Sequence, residues 1–85
     1  MKRYWVYLLE CADGTLYAGW TTGLERRLRE HNSGRGSKYT RGRRPVSLVY
    51  REECPSESVA RKREVALHRL RRAQKLELIR RGGGS

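Results

Sequence analysis

The sequence predicts an α+β fold: a small antiparallel sheet of three strands flanked by helices, in the order β-β-α-β-α-α. Two runs rich in aromatic and branched residues, 4–11 and 15–21, are separated by the short turn "ADG", which is the pattern of a β-hairpin. Helical patterns follow at 22–32 and 56–72, and between them "VSLVYRE" has the composition of a third strand. Amphipathic helices must bury their apolar side, and the sheet offers the surface.

The hairpin predicts which side chains share a face of the sheet. If the three residues of "ADG" form the turn, the numbers of paired residues sum to 26, and Tyr7 lies opposite Gly19. Because side chains alternate along a strand, Tyr7 and Tyr17 then project from one face as diagonal neighbours. The general preference of tyrosine for strands explains these two phenols equally well. The opposite face collects an apolar layer of Val6, Leu8, Leu16, Ala18 and Trp20.

Start signals and turn residues predict the remaining elements. A T-x-x-E capping box at 22–25 predicts the start of the first helix. The basic segment "GRGSKYTRGRRP", residues 34–45, cannot pack a core, so we expect a surface loop with one helical turn at 37–41. A serine begins the long helical pattern at 56–72, and "AQKLELIRR", residues 73–81, predicts a short last helix.

The first helix carries an arginine and a histidine on its inward side. At about 100° per residue, Leu24 and Leu28 face the sheet, and Arg27 and His31 fall within about 60° of Leu24. Burying an unpaired charge is costly, so both side chains need partners there. For Arg27 the partner is either a structural carboxylate or a phosphate. His31 is either a hydrogen-bonded core histidine or part of a site.

Glu64 is the one acidic residue within "ARKREVALHR", residues 60–69. Its position is about 100° from the centre of the apolar side of the long helix, at the border of that side. Two interpretations stay open for this carboxylate. It either lines a cleft as a metal ligand, or it pairs with His68 four residues later.

The composition favours a polyanionic partner. The chain has 20 Lys+Arg against 9 Asp+Glu, a net charge of +11, which favours binding to nucleic acid. The apolar run near the start is too short for a signal peptide, and no apolar run is long enough to cross a membrane. We therefore expect a cytoplasmic protein with no membrane partner. Residues 1–81 are expected to form a single domain, and 82–85, "GGGS", resembles a flexible linker.

Several residues in order resemble one known family. "WVY" at 5–7 and "YAG" at 17–19 resemble the paired signature of the GIY-YIG nucleases, with Val6 and Ala18 in place of isoleucine. Arg27 lies ten residues after Tyr17, and His31 follows four residues later. Glu64 in the long helix matches the position of the family's single metal-binding glutamate. The resemblance extends from residue 3 to about residue 80. It is nearest to small single-domain bacterial members of the family.

The resemblance implies an endonuclease that uses one divalent cation, Mg²⁺ or Mn²⁺, and no small-molecule cofactor. Tyr17 or Tyr7 would position or deprotonate the attacking water. Arg27 would stabilise charge on the phosphate, and His31 would assist proton transfer or contact the phosphate. Glu64 would be the metal ligand.

The nucleic acid is expected to be DNA rather than RNA. The protein is expected to be a hydrolase that acts in DNA repair. Trp20 occupies the place where some members carry a lysine, so cleavage is expected to be slow or to draw on the basic segment. The residues of that segment expected to contact nucleic acid are Arg35, Lys38, Tyr39, Arg41, Arg43 and Arg44. Two other functions fit the same composition: a nucleic-acid-binding module with weak or no catalysis, and a basic protein-interaction domain.

Overall fold

The computed structural model describes residues 2–81, and its three-stranded antiparallel sheet confirms the predicted fold class. The strand order is β2-β1-β3, so that β1 is central and β2 is an edge strand. The tail "GGGS" lies outside the described residues. The elements are β1 (Tyr4–Glu10), β2 (Leu16–Thr21), α1 (Leu24–Asn32), α2 (Lys38–Arg41), β3 (Ser47–Cys54), α3 (Glu57–Arg69) and α4 (Arg72–Arg80).

The hairpin has the predicted register. Tyr7 pairs with Gly19 and Leu9 with Tyr17. The turn closes with a hydrogen bond of 2.8 Å from the Cys11 N–H to the carbonyl of Thr15. Both tyrosines therefore lie on one face of the sheet, as the alternation of side chains requires.

Helices cover both faces of the sheet. On one face, the buried side chains of β1 and β2 pack against Ala60 and Leu67 of α3. On the other face, Tyr7 and Leu9 pack with Leu24 and Leu28 of α1. The central strand is buried on both sides, and this explains its nearly continuous apolar sequence.

Two helix boundaries differ from the prediction. The capping box at 22–25 is wrong, because the N-cap is Gly23 and no side chain caps this end. The neighbouring hydroxyl of Thr21 accepts the Gly23 N–H at 3.1 Å instead and forms a local turn. Helix α3 ends at Arg69, three residues early, because Leu70 adopts an extended conformation and packs against the core.

The basic segment 34–45 contributes a buried residue, contrary to the expectation that it lies only on the surface. Thr40 of α2 is fully buried, and the hydroxyl of Ser37 caps this short helix. The segment is closed at its base by Asn32, whose side-chain amide donates to the carbonyl of Val46 at 3.0 Å and accepts its N–H at 2.7 Å. The peptide bond before Pro45 is cis. Among residues 2–81, no helix has the length and apolar character needed to cross a membrane.

Candidate active site

A tyrosine from each strand of the hairpin meets His31 of α1. The hydroxyl of Tyr7 lies 3.1 Å from Nε2 of His31. The ring of Tyr17 meets the edge of the imidazole with the ring centroids 5.5 Å apart. The alternation along the strands and the 3.6-residue period of the helix thus bring together three residues predicted from sequence.

Gly19 leaves the space in which Tyr7 lies. A Cβ atom built on Gly19 would lie 2.6 Å from Cζ of Tyr7, far inside van der Waals contact. The phenol therefore lies directly over the backbone of β2, and only glycine allows this approach.

His31 is fully buried, and both ring nitrogens have partners. Nε2 faces Tyr7, and Nδ1 lies 2.8 Å from Oγ1 of Thr40. A Cβ on Gly36 would lie 2.5 Å from Cγ of His31, so the loop backbone packs directly against the ring. Burial, followed by the positive charge of Arg27, lowers the pKa of His31 below 6.5. The imidazole is therefore neutral near pH 7 and can accept a proton.

Tyr7 is only 2% exposed. Burial raises the pKa of its phenol above 10.0, while the hydrogen bond and the charge of Arg27 oppose this increase. The negative charge of Glu64 also raises the pKa of Tyr7. Tyr7 is thus protonated at rest, in a pocket where a cation and an anion act on the same oxygen.

Arg27 joins α1 to the basic segment. Its Nη1 lies 3.0 Å from a carboxylate oxygen of Glu30, and its Nη2 donates to the carbonyl of Gly36 at 3.1 Å. The side chain is still 30% exposed. Arg27 therefore has the structural carboxylate partner predicted as one alternative, and its partly exposed side chain lines a small cavity together with Tyr7.

Glu64 lies on α3, which packs against β1 and β2, and its charge acts on Tyr7. One of its carboxylate oxygens lies 3.4 Å from Nε2 of His68, the predicted partner four residues later. The ring of His68 meets Tyr17 edge to face with the centroids 5.9 Å apart. The side chain of Glu64 remains 25% exposed, so this pairing does not close the carboxylate to other ligands.

The donor set of the site suits one kind of cation. Within residues 2–81, no group of three or more His, Cys, Asp or Glu side chains lies close enough to hold a metal ion. A closed zinc site is therefore absent from this part of the chain. A single accessible carboxylate fits Mg²⁺ or Mn²⁺, because such ions keep several waters and take further oxygens from phosphates.

Six residues of the basic segment are predicted to bind nucleic acid. Some of their side chains contact other side chains of the protein, and the others are accessible cations. Tyr39 stacks on Tyr17 with the ring centroids 5.4 Å apart, and Cζ of Arg43 lies 4.1 Å from the centroid of the Tyr39 ring. Arg43 also forms an ion pair with Asp13 at 3.1 Å. These contacts make Arg43 a support for the stacked rings, next to the candidate site.

Four of the six side chains are exposed cations: Arg35, Lys38, Arg41 and Arg44. Arg41 and Arg44 line a groove of about 540 Å³ together with Asn32, Gly42 and Pro45. Arg44 holds its place by donating to the carbonyl of Arg41 at 2.9 Å. Neither Lys38 nor Arg41 forms an ion pair with a described acidic residue, which leaves both charges open to phosphates.

Sequence reasoning missed Thr40 as a site residue and gave His68 only as a partner of Glu64. Thr40 lies in a basic, glycine-rich segment with no apolar periodicity, so no local pattern signals its burial. Trp20, predicted to be part of the core layer, is half-buried and packs against that core. Cζ of Arg61 lies 5.7 Å from the centroid of the Trp20 ring.

Comparisons with known proteins agree on one family. The model of the GIY-YIG catalytic domain matches residues 3–77. A UPF0213 protein of Syntrophus aciditrophicus is 54% identical over 80 residues, which cover 93% of this chain and 92% of that protein. The solution structure of a UPF0213 protein of Bacillus halodurans is 45% identical, with a TM-score of 0.61 and coverage of 99% and 88%. A protein of E. faecalis is 44% identical, with a TM-score of 0.63 and coverage of 94% and 85%.

Proposed function

The chain belongs to the GIY-YIG family, and on this basis we propose that it is a metal-dependent endonuclease that hydrolyses phosphodiester bonds in nucleic acid. The observation that carries the proposal is the 3.1 Å contact between the buried phenol of Tyr7 and the neutral imidazole of His31. A protonated phenol beside a neutral base is a pair that can move one proton, and Arg27 lies next to it.

Tyr7 and His31 together can take up the proton that is released when water attacks phosphorus. As the new P–O bond forms, the water proton passes to the oxygen of Tyr7, while the proton of Tyr7 moves to Nε2 of His31. The bond from phosphorus to the leaving sugar oxygen breaks, and that oxygen takes a proton from solvent. Tyr17 is the more accessible of the two phenols and orients the incoming water and phosphate.

Arg27 and Glu64 supply the charges that this reaction needs. The exposed part of the guanidinium of Arg27 faces the negative charge that grows on the phosphate oxygens. Glu64 would hold one Mg²⁺ or Mn²⁺. When bound, that cation supplies a positive charge that polarises the phosphate and lowers the barrier to attack.

Affinity for nucleic acid comes mainly from the cations of the basic segment. Contacts with phosphates carry no sequence information and weaken as salt rises. We propose DNA as the substrate, cut without strong sequence preference by a protein of a single domain.

Nicking of a supercoiled plasmid in Mg²⁺ or Mn²⁺ tests the proposal. The variant E64Q should lose at least about 100-fold in rate, because a carboxylate charge at the cation is worth several kcal/mol. It should bind DNA as tightly as the wild type in fluorescence anisotropy. The matched control is E77Q, which makes the same change on α4, away from the tyrosines, and should cut normally.

Cleavage by E64Q at the wild-type rate would contradict the assignment of Glu64, provided that an E64Q/R27A variant purified identically is inactive and excludes a contaminating nuclease. DNA binding without cutting in any divalent cation would instead favour the nucleic-acid-binding module. The half-buried Trp20, at a position where some relatives carry a lysine, is the feature that would fit that outcome.

A further inference from the structure

The basic segment contributes a buried hydroxyl to the candidate site. Oγ1 of Thr40 lies 2.8 Å from Nδ1 of His31, on the side of the ring that faces away from Tyr7. The same hydroxyl lies 3.3 Å from the carbonyl oxygen of Ser37 and 3.2 Å from the hydroxyl of Ser37. Thr40 and His31 are both fully buried, so water does not take the place of these partners.

Thr40 determines the direction of the hydrogen bonds at His31. A carbonyl oxygen is only an acceptor, so the hydroxyl of Thr40 donates its one proton to the carbonyl of Ser37. The oxygen of Thr40 is then left to accept from Nδ1 of His31. Nε2 faces the phenol of Tyr7, which can either donate or accept a hydrogen bond.

The tautomer of His31 follows from that direction. A neutral imidazole carries one proton, so the proton is on Nδ1, and Nδ1–H donates to Thr40. The hydroxyl of Thr40 donates in turn to the carbonyl of Ser37. In this arrangement every group is satisfied, in agreement with the absence of unpartnered buried side-chain nitrogens and oxygens among the described residues.

We propose that Thr40 is a positioning residue that fixes His31 in the Nδ1–H tautomer and so presents Nε2 to Tyr7 as a base. The catalytic part of this proposal rests on the proposed endonuclease function, whereas the tautomer does not. The partner of the second nitrogen generally determines which nitrogen of a histidine is protonated. Thr40 can also keep its bond to Nδ1–H when His31 gains a second proton, since its oxygen remains an acceptor.

The opposite tautomer would disable the pair. With the proton on Nε2, His31 would donate to the oxygen of Tyr7, and Nδ1 without a proton would face the oxygen of Thr40, whose own proton is bonded to the carbonyl of Ser37. His31 could then not receive the proton of Tyr7. Removal of the Thr40 hydroxyl leaves nothing to favour Nδ1–H, because a buried N–H without an acceptor is costly.

Nitrogen-15 NMR of the imidazole of His31, in the protein without DNA or metal, tests the tautomer directly. We expect protonated Nδ1 and unprotonated Nε2 in the wild type and in T40S, which keeps the hydroxyl. T40V has nearly the same shape without it, and we expect its signals to move toward the Nε2–H form. A wild type with the proton on Nε2 would overturn the proposal without any variant having to fold.

Plasmid nicking tests the catalytic consequence. We expect kcat of T40V to fall about 10- to 100-fold, the range seen when a partner that orients a functional histidine is removed, with KM little changed and T40S near the wild type. The control T21V removes another buried threonine hydroxyl, which donates to the carbonyl of Gly23, and should leave both the tautomer and the rate unchanged.

The two measurements separate the two proposals. An unchanged tautomer together with an unchanged rate in T40V would refute the role of Thr40. A wild type with the Nδ1–H tautomer that cuts no DNA would refute the endonuclease and leave the structural half of the inference supported.

Discussion

The close approach of Tyr7 to Gly19 makes the G19A variant a sharp test of the site geometry. The new Cβ would lie 2.6 Å from Cζ of Tyr7, whereas carbon atoms prefer separations of about 3.5–4.0 Å. The ring must therefore move by about 1 Å. Such overpacking costs about 1–3 kcal/mol, and the movement also strains the buried hydrogen bond to His31, whose loss costs a further 1–3 kcal/mol or so.

The two costs together predict that G19A lowers the free energy of unfolding by about 2–6 kcal/mol, a large part of the total for a small domain. Urea denaturation followed by circular dichroism measures the change. The control is G42A, because a Cβ on Gly42 meets no atom within 4 Å and φ there is −89°. It should stay within about 0.5 kcal/mol of the wild type or be slightly more stable. A loss below about 1 kcal/mol in G19A would refute the close packing of Tyr7 on β2.

Two further predictions concern charge. If Arg41 and Arg44 each contact a phosphate, the double variant R41Q/R44Q should reduce the slope of the logarithm of the DNA-binding constant against the logarithm of the salt concentration by about 1.8. The control R80Q on α4 should leave this slope unchanged. Equal slopes in the two variants would contradict a groove that binds phosphate. Stability should fall as pH drops below about 6.5, because the unfolded chain protonates His31 while burial and Arg27 keep its folded pKa lower. The slope is at most about 1.4 kcal/mol per pH unit, and urea midpoints that stay constant from about pH 7 to 5.5 would contradict the buried neutral ring.

Periodicity explains how much of the site the sequence could predict. Strand alternation and a three-residue turn were enough to place Tyr7 opposite Gly19 and beside Tyr17. The helical period of about 100° per residue was enough to predict that Arg27 and His31 face the sheet. Both regularities are local properties of the backbone, so they persist whatever the tertiary structure is.

The remaining parts of the site depend on packing between distant segments. Glu64 was connected to the tyrosines only through the family resemblance, because the position of α3 relative to β2 is not encoded in helical angles. The capping box at 22–25 failed because the helix begins one residue later, with Gly23 as its N-cap, and the hydroxyl of Thr21 accepts the Gly23 N–H. Thr40 lies in a segment whose composition predicts full exposure. It is buried because it packs against His31, which lies nine residues earlier in the chain.

The amide of Asn32 bonds to both backbone groups of Val46 as a neighbouring strand would. The two ends of the basic segment are therefore held together by one side chain. A change of length between them need not move β3 out of register, because the amide fixes the first residue after the segment. Gly36 and Thr40 set the limit to this freedom, since both touch His31. A change within the segment that displaces either residue would also move the histidine that Tyr7 contacts.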